Sequence, residues 1–138
     1  MLRFSVVLVL FFIISFVGCR SIPFEDSLSV SLNKEYTVPF GSSLFTVTVR
    51  EPDAIGFQNP LRVPEYMQTF SYVGKSGSTI KICYREYLYN SGSWLIRDKF
   101  TQTLEYDLSD GNLLAYQNFK FRVIQADSKE ITFILLSR

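Results

Sequence analysis

A strict alternation of apolar and polar side chains with a period of two is the feature that most constrains this chain. It is clearest over residues 45–50, where three large apolar residues alternate with polar ones: Phe45, Val47 and Val49. Because successive side chains of a strand point to opposite faces, this pattern is typical of a half-buried β-strand. We expect further strands at residues 29–32, 35–38, 69–73, 79–89, 94–108, 119–123 and 131–135.

Short segments rich in Gly, Ser, Asn and Asp separate these runs and predict tight turns. They lie at residues 74–78, 90–93, 109–112 and 127–129. After residue 28, no window shows a convincing i, i+3, i+4, i+7 apolar stripe of an amphipathic helix. We therefore predict an all-β fold, a small antiparallel β-sandwich or β-barrel of about seven strands after an N-terminal signal peptide.

The N-terminal segment has the layout of a secretory signal. Arg3 precedes a nearly unbroken apolar run, and the small residue Gly18 comes directly before Cys19. Residues 16–19, Phe-Val-Gly-Cys, resemble the lipobox of bacterial lipoproteins, although that family usually has Leu where this chain has Phe16. The resemblance implies that Cys19 is diacylated and becomes the new N-terminus. It divides the chain into a lipoprotein signal peptide (1–18), a lipidated tether (19–28) and a single β-rich domain (29–138).

Three other interpretations of this segment stay open. The apolar run could be a permanent membrane anchor, but its 15 residues from Phe4 to Gly18 fall short of the roughly 17–25 that a spanning helix needs. An ordinary secretory signal cut elsewhere would leave Cys19 to pair with Cys83 in an oxidising compartment. The third interpretation is that the apolar run forms a buried helix of a cytosolic fold. By resemblance, Arg20 after the cysteine, where Asp favours the inner membrane, implies the outer membrane, with the domain facing the periplasm or the exterior.

The charge balance excludes several classes of partner. The chain has 14 Lys and Arg against 13 Asp and Glu, and removal of residues 1–18 with Arg3 leaves 13 against 13. Nucleic-acid binding needs a basic footprint, so we expect none. The zero balance also argues against electrostatic docking to anionic lipid, so we expect membrane attachment to come from the N-terminus. The chain has no His, which removes Ser-His-Asp and Cys-His catalysis and His-ligated zinc.

The carboxylates offer two weak candidates for chemistry. Glu105 and Asp107 are two residues apart and share a strand face, as a pair for acid/base work or a cation would. Asp107, Asp110 and Asn112 lie together at a turn, where their oxygens could hold Ca²⁺. Asp and Asn are also what a turn needs for its own hydrogen bonds. We therefore expect no metal site, no cofactor and no catalytic residue in this group.

Cys83 lies between Lys81 and Arg85 on one strand face. Neighbouring cations lower the pKa of a thiol, which is the one hint of reactivity. A thiol nucleophile also needs a base, and without His the chain offers none of the usual kind. We expect Cys83 to be an ordinary strand residue.

Two groups of residues are candidates for contact with a partner or ligand. Four aromatic residues flank the turn at 90–93, and they could form a platform for sugars or peptides or pair across a hairpin: Tyr84, Tyr87, Tyr89 and Trp94. The proline-rich segment at residues 51–66 predicts a long connection with three contact candidates: Phe57, Leu61 and Tyr66.

The sequence predicts a membrane-anchored envelope lipoprotein acting as a non-catalytic interaction or structural module, with an envelope protein as partner. The alternative is a module that binds a small apolar or glycan ligand, inside a barrel or on an aromatic face. A carboxylate-based hydrolase is the remaining alternative, because glycoside hydrolysis needs two carboxylates and no His. We expect a non-enzyme.

Overall fold

The computed structural model describes residues 25–50 and 65–138. Within these ranges the chain forms antiparallel β-strands and a single short 3-10 helix at Asp98–Phe100, and no α-helix. The strands are β1 (Glu25–Leu28), β2 (Glu35–Pro39), β3 (Ser43–Arg50), β4 (Tyr66–Ser76), β5 (Thr79–Asn90), β6 (Ser93–Ile96), β7 (Gln102–Asp107), β8 (Leu113–Tyr116), β9 (Phe119–Ala126) and β10 (Glu130–Ser137). The predicted all-β fold is confirmed.

The strands form two sheets that pack face to face. In the first sheet the order is β1-β3-β4-β5, and both β6 and β7 pair with the far edge of β5. In the second sheet the order is β2-β10-β9-β8. Two separate sheets make a sandwich, and the described strands do not close into a barrel.

The described residues contain ten strands, more than the seven or so expected. Part of the difference lies at residues 94–108, which we predicted to be one long strand or a bent pair. The pair is what forms, because the 3-10 helix at Asp98–Phe100 separates β6 from β7. Two strands of four residues each, β1 and β8, are too short for alternation to reveal them.

Two expectations near the start of the domain are wrong. Residues 25–28 fall in the range assigned to the tether, yet they form β1, whose backbone pairs with β3 from Glu25↔Arg50 to Leu28↔Val47. An open strand edge recruits even residues with poor strand propensity, because it offers unpaired backbone groups. Residues 29–32 form bends and the start of a turn instead of a strand, because here the chain crosses from the first sheet to the second.

Aromatic rings fill the space between the sheets. Phe45 of β3 packs against Phe70 of its own sheet at a ring-centroid distance of 4.5 Å. It also contacts three rings of the second sheet at 5.4–6.3 Å: Phe119, Phe121 and Phe133. The apolar faces predicted for β3, β5 and β10 are the ones that are buried. Each buried ring removes on the order of 150–250 Å² from water, so this cluster is the main source of stability.

One end of the first sheet extends beyond its neighbouring strands. The strand registers align Asp26, Val49, Tyr66, Leu88 and Leu95 in a single row across β1, β3, β4, β5 and β6. At this row β1 begins, β3 ends, and β4 begins. Beyond it β5 and β6 continue alone as a hairpin. We call this the hairpin end of the sheet.

No helix in the described ranges is long and apolar enough to cross a bilayer.

Candidate functional site: an apolar hairpin tip

The hairpin formed by β5 and β6 has an uncharged, largely apolar tip. Residues 87–96 contain no Asp, Glu, Lys or Arg, and six of the ten residues are large apolar or aromatic ones: Tyr87, Leu88, Tyr89, Trp94, Leu95 and Ile96. The remaining four are Asn, Ser, Gly and Ser. We call residues 87–96 the hairpin tip.

A two-residue turn closes the hairpin. Asn90 pairs with Ser93, and the two residues between them have positive φ, 49° at Ser91 and 90° at Gly92. Positive φ at both central positions defines a type I′ turn, whose twist matches that of the flanking strands. The Ser91 hydroxyl donates to Asn90 Oδ1 at 3.0 Å. The turn therefore holds β5 and β6 in the register that sets the faces of the tip.

Both faces of the tip expose apolar side chains. On the face away from the second sheet, Tyr89 pairs with Trp94 across the hairpin, with ring centroids 5.2 Å apart and ring planes at 59°. Tyr89 is 39% exposed and Ile96, on the same face, 45% exposed. On the opposite face Leu95 is 52% exposed, next to half-buried Leu88. The tip is thus a thin apolar element open to solvent on two sides.

Tyr84 does not belong to the tip, which corrects the expectation that it joins a surface platform. The alternation of β5 turns it inward, where it is fully buried. Its ring packs against Tyr116 at 4.9 Å and Phe70 at 5.0 Å. Of the other predicted contact residues, Tyr66 is half-buried in the end row of the sheet. Phe57 and Leu61 lie outside the described residues.

A polar cluster lies in the interior directly behind the tip. Glu86 is 9% exposed and is the one charged residue buried in the described ranges. Tyr84 Oη donates to Glu86 Oε1 at 2.5 Å, and Arg97 Nη1 donates to Glu86 Oε2 at 2.9 Å. Gln68 Nε2 donates to Tyr84 Oη at 2.7 Å. Gln117, in the turn between β8 and β9, reaches the same hydroxyl at 3.4 Å.

This cluster has a structural role, because its hydrogen bonds connect several strands. Burial, together with the hydrogen bond donated to Glu86, raises the pKa of Tyr84 well above its usual range, so the phenol stays protonated. The Arg97 guanidinium stacks over the Phe100 ring at 3.9 Å. In the described ranges no buried side-chain nitrogen or oxygen lacks a hydrogen-bond partner. The groups bind one another, and the cluster joins β5 to β6 and to the second sheet.

Sequence reasoning missed this cluster, although a signal for it exists. In the run Ile80, Ile82, Tyr84, every second residue points inward, so residue 86 must point inward too. A Glu at an inward position is unusual, because a buried charge is costly unless it is paired. The partner, Arg97, directly follows β6 and lies opposite Glu86 of β5, where the backbone N–H of Arg97 also donates to the carbonyl oxygen of Glu86 at 2.8 Å.

The carboxylates singled out in the sequence serve other purposes. Glu105 forms an exposed ion pair with Lys81 at 2.8 Å. Asp107 Oδ1 accepts from the backbone N–H of Ser109 at 2.9 Å and from its hydroxyl at 2.7 Å, and these bonds lower the pKa of Asp107. Within residues 25–50 and 65–138, no three His, Cys, Asp or Glu side chains are grouped as metal ligands would be. The only free cysteine of these ranges, Cys83, is half-buried.

Comparisons with known proteins return no match. No protein-family model matches the chain, no curated protein matches it, and no solved structure matches it.

Proposed function

We propose that this chain is a lipid-anchored protein of the bacterial cell envelope whose β-sandwich is a non-catalytic interaction module. The lipobox-like residues 16–19 support the anchor, and the near-zero charge of residues 19–138 supports attachment through acyl chains instead of basic residues. Two or three acyl chains hold a protein on a membrane stably, whereas one chain alone holds it only marginally.

The single observation that carries the interaction role is the hairpin tip. Apolar surface left in water costs about 25 cal/mol per Å², and exposed apolar patches mark contact sites in otherwise well-packed proteins. Here the core is filled by rings while Tyr89, Leu95 and Ile96 remain exposed in one uncharged element. The ionisable groups favoured by the sequence are engaged in an ion pair and a turn, which supports a non-catalytic module.

The paired rings of Tyr89 and Trp94 favour a second candidate, a glycan-binding module, because sugars stack on exposed aromatic faces. Cell-wall glycan fragments added to the protein would then change the fluorescence of Trp94, which is the only tryptophan of the chain. A ligand held between the sheets has less support, because the rings of Phe45 and its neighbours occupy that space.

The anchor is tested by intact-mass measurement on protein recovered from bacterial membranes. We expect a mature chain that begins at Cys19 and carries the added mass of its acyl chains. Cys19→Ala should remain an unprocessed, unacylated precursor. Cys83→Ala is the matched control, since it removes the other cysteine, and it should be processed like the unaltered protein. Full-length chain with Met1 in place and no acyl group, recovered from the cytoplasmic fraction, would overturn the proposal.

A further inference from the structure

We infer that the hairpin tip, residues 87–96, inserts into the interface of the same bilayer that holds the acyl anchor. This inference rests on the proposed function, since it needs a lipid-anchored protein, and it names the occupant of the exposed apolar surface. The partner is the lipid bilayer itself, at the level where headgroups meet acyl chains.

The fold brings the start of β1 and the tip to the same end of the sheet. β1 begins at Glu25, six residues after Cys19, and six residues of chain span at most about 20 Å. Glu25 lies one residue beyond the row that also contains Leu88 and Leu95. From β1 to β6 the sheet is four strand spacings wide, about 19 Å. An acylated Cys19 therefore keeps the tip within reach of the membrane surface.

The tip also projects by a suitable amount. Beyond the end row, β5 adds Tyr89 and Asn90, and β6 adds Ser93 and Trp94, before the turn closes the hairpin. Two strand residues extend about 7 Å. The region between the hydrocarbon core and bulk water is roughly 5–8 Å thick on each side of a bilayer. The projecting residues 89–94 can thus enter the headgroup layer, with Leu95 of the end row following them, while the body of the sandwich stays outside it.

The residue types are those that favour this environment. Trp and Tyr concentrate at membrane interfaces, because their rings have an apolar body and a polar edge. In the tip they stand beside Leu95 and Ile96, and the residues at the turn are neutral. At the base of the tip, Glu86 and Arg97 form an ion pair. The other described charged residues at this end are Asp26 in the end row and Glu25, Arg50 and Glu65 one residue beyond it, where they would lie at headgroup depth.

The geometry favours a bilayer over a folded protein or a glycan. Apolar side chains are exposed on both faces of a two-stranded element, with Ile96 on one side and Leu95 on the other. A flat partner covers one face, whereas lipid surrounds both. The rings of Tyr89 and Trp94 are inclined by 59°, so a sugar ring can stack on one of them but not on both as a continuous platform, which makes a glycan the weaker candidate.

The test uses the fluorescence of Trp94 in the acylated protein. The mature protein, purified from membranes, is reconstituted into phosphatidylcholine vesicles with or without bromine on the acyl chains. We expect a blue-shifted emission that the brominated lipid quenches and that aqueous iodide does not. Because the lipid is neutral and the tip uncharged, quenching should not change between low and high salt.

Two variants with serine in place of an exposed leucine locate the effect. Leu95→Ser removes an apolar side chain that is 52% exposed and should lower the ratio of inserted to free tip about three- to tenfold, the value of transferring half a leucine side chain. Leu113→Ser removes a side chain that is 59% exposed on β8, away from the hairpin end, and should leave quenching unchanged. Circular dichroism confirms that both variants are folded.

The outcomes separate the inference from the proposed function. If intact mass shows acyl chains but Trp94 stays open to iodide and unquenched by bromolipid, the inference is wrong and the anchor stands. Equal loss of quenching in Leu95→Ser and Leu113→Ser also overturns it. Protection of Trp94 by glycan fragments or by a protein, and not by vesicles, would reassign the tip to that partner. Absence of acyl chains on the protein overturns both.

Discussion

At the level of single residues, Glu86 combines burial with a charge. Its carboxylate accepts hydrogen bonds from Tyr84 and Arg97, and removal of one partner of a buried pair leaves the other groups unsatisfied. We expect Glu86→Ala to lower the free energy of unfolding by about 2–4 kcal/mol, somewhat less than for a fully buried pair because Arg97 is partly exposed. Urea denaturation of the unlipidated mature chain measures this value.

Glu105→Ala is the control for this prediction. It removes a carboxylate from the Lys81–Glu105 ion pair, which has a similar N–O distance and is exposed to solvent. Exposed pairs contribute about 1 kcal/mol or less. Equal destabilisation by Glu86→Ala and Glu105→Ala would show that the buried Glu86 cluster contributes no more to stability than an exposed ion pair.

Asp127 gives the stability a dependence on acid pH. Its carboxylate accepts backbone hydrogen bonds from Lys129 at 2.7 Å and Glu130 at 2.9 Å, which lower its pKa from 3.8. A lowered folded-state pKa contributes stability above the ordinary pKa, and this contribution is lost as the pH falls through the folded value. Asp127→Asn should therefore be less stable than the unaltered protein at pH 7, and the difference should shrink as the pH falls through the folded-state pKa of Asp127.

Thermal or urea unfolding curves recorded from pH 2 to pH 7 measure this pH-dependent difference in stability. Ser128→Ala, in the same turn and without a titratable group, should differ from the unaltered protein by a constant amount over that range. A difference for Asp127→Asn that stays constant with pH would contradict the prediction.

At the residue scale, alternation was a good guide to direction and a poor guide to contacts. It correctly sends Ile80, Ile82 and Tyr84 inward. It cannot identify which side chains a buried residue contacts. Two hydrogen-bond partners of Tyr84 are distant in sequence: Gln68 on β4 and Gln117 in the turn between β8 and β9. The grouping of Tyr84 with the surface aromatics was wrong because it relied on closeness to the turn in the sequence and not on this alternation.

At the level of elements, the turn that closes the hairpin depends on Gly92. Its φ of 90° lies in the region that residues with a Cβ atom rarely adopt. A Cβ at this position meets nothing within 4 Å, so the cost is one of backbone strain alone. We expect Gly92→Ala to destabilise the protein by about 1 kcal/mol, as measured by urea denaturation.

A second readout follows the hairpin itself. Strain at Gly92 should loosen the Tyr89–Trp94 pairing, and the near-ultraviolet circular dichroism of Trp94 should weaken. Ser93→Ala keeps the turn backbone unchanged and serves as control. An unaltered signal together with unaltered stability in Gly92→Ala would show that the turn does not require positive φ there.

At the element scale, long alternating runs were found and short strands were not. The strands β3, β5, β9 and β10 lie where alternation predicts them. The four residues of β1, in contrast, include Glu25, Asp26 and Ser27, which disfavour strands. They pair because the edge of β3 is available, and only the tertiary arrangement supplies that edge.

At the level of the whole molecule, Phe45 joins the two sheets. It contacts Phe70 in its own sheet and three phenylalanines of the other sheet. We expect Phe45→Ala to lower the free energy of unfolding by about 3–5 kcal/mol, since it deletes a buried ring and leaves a cavity. Ile124→Ala, on the exposed face of β9, should cost well under half as much. Similar losses in both variants would contradict a core centred on Phe45.

The sequence by itself determined the fold class and the inward faces of the long strands. These depend on local patterns, since strand alternation and turn composition act over a few residues. Only the tertiary structure decided that the chain forms a sandwich, that Tyr84 and Glu86 share an interior cluster with Arg97, and that the start of β1 lies at the same end as the hairpin tip. These facts depend on strand order and register, which arise from backbone pairing between segments far apart in the chain.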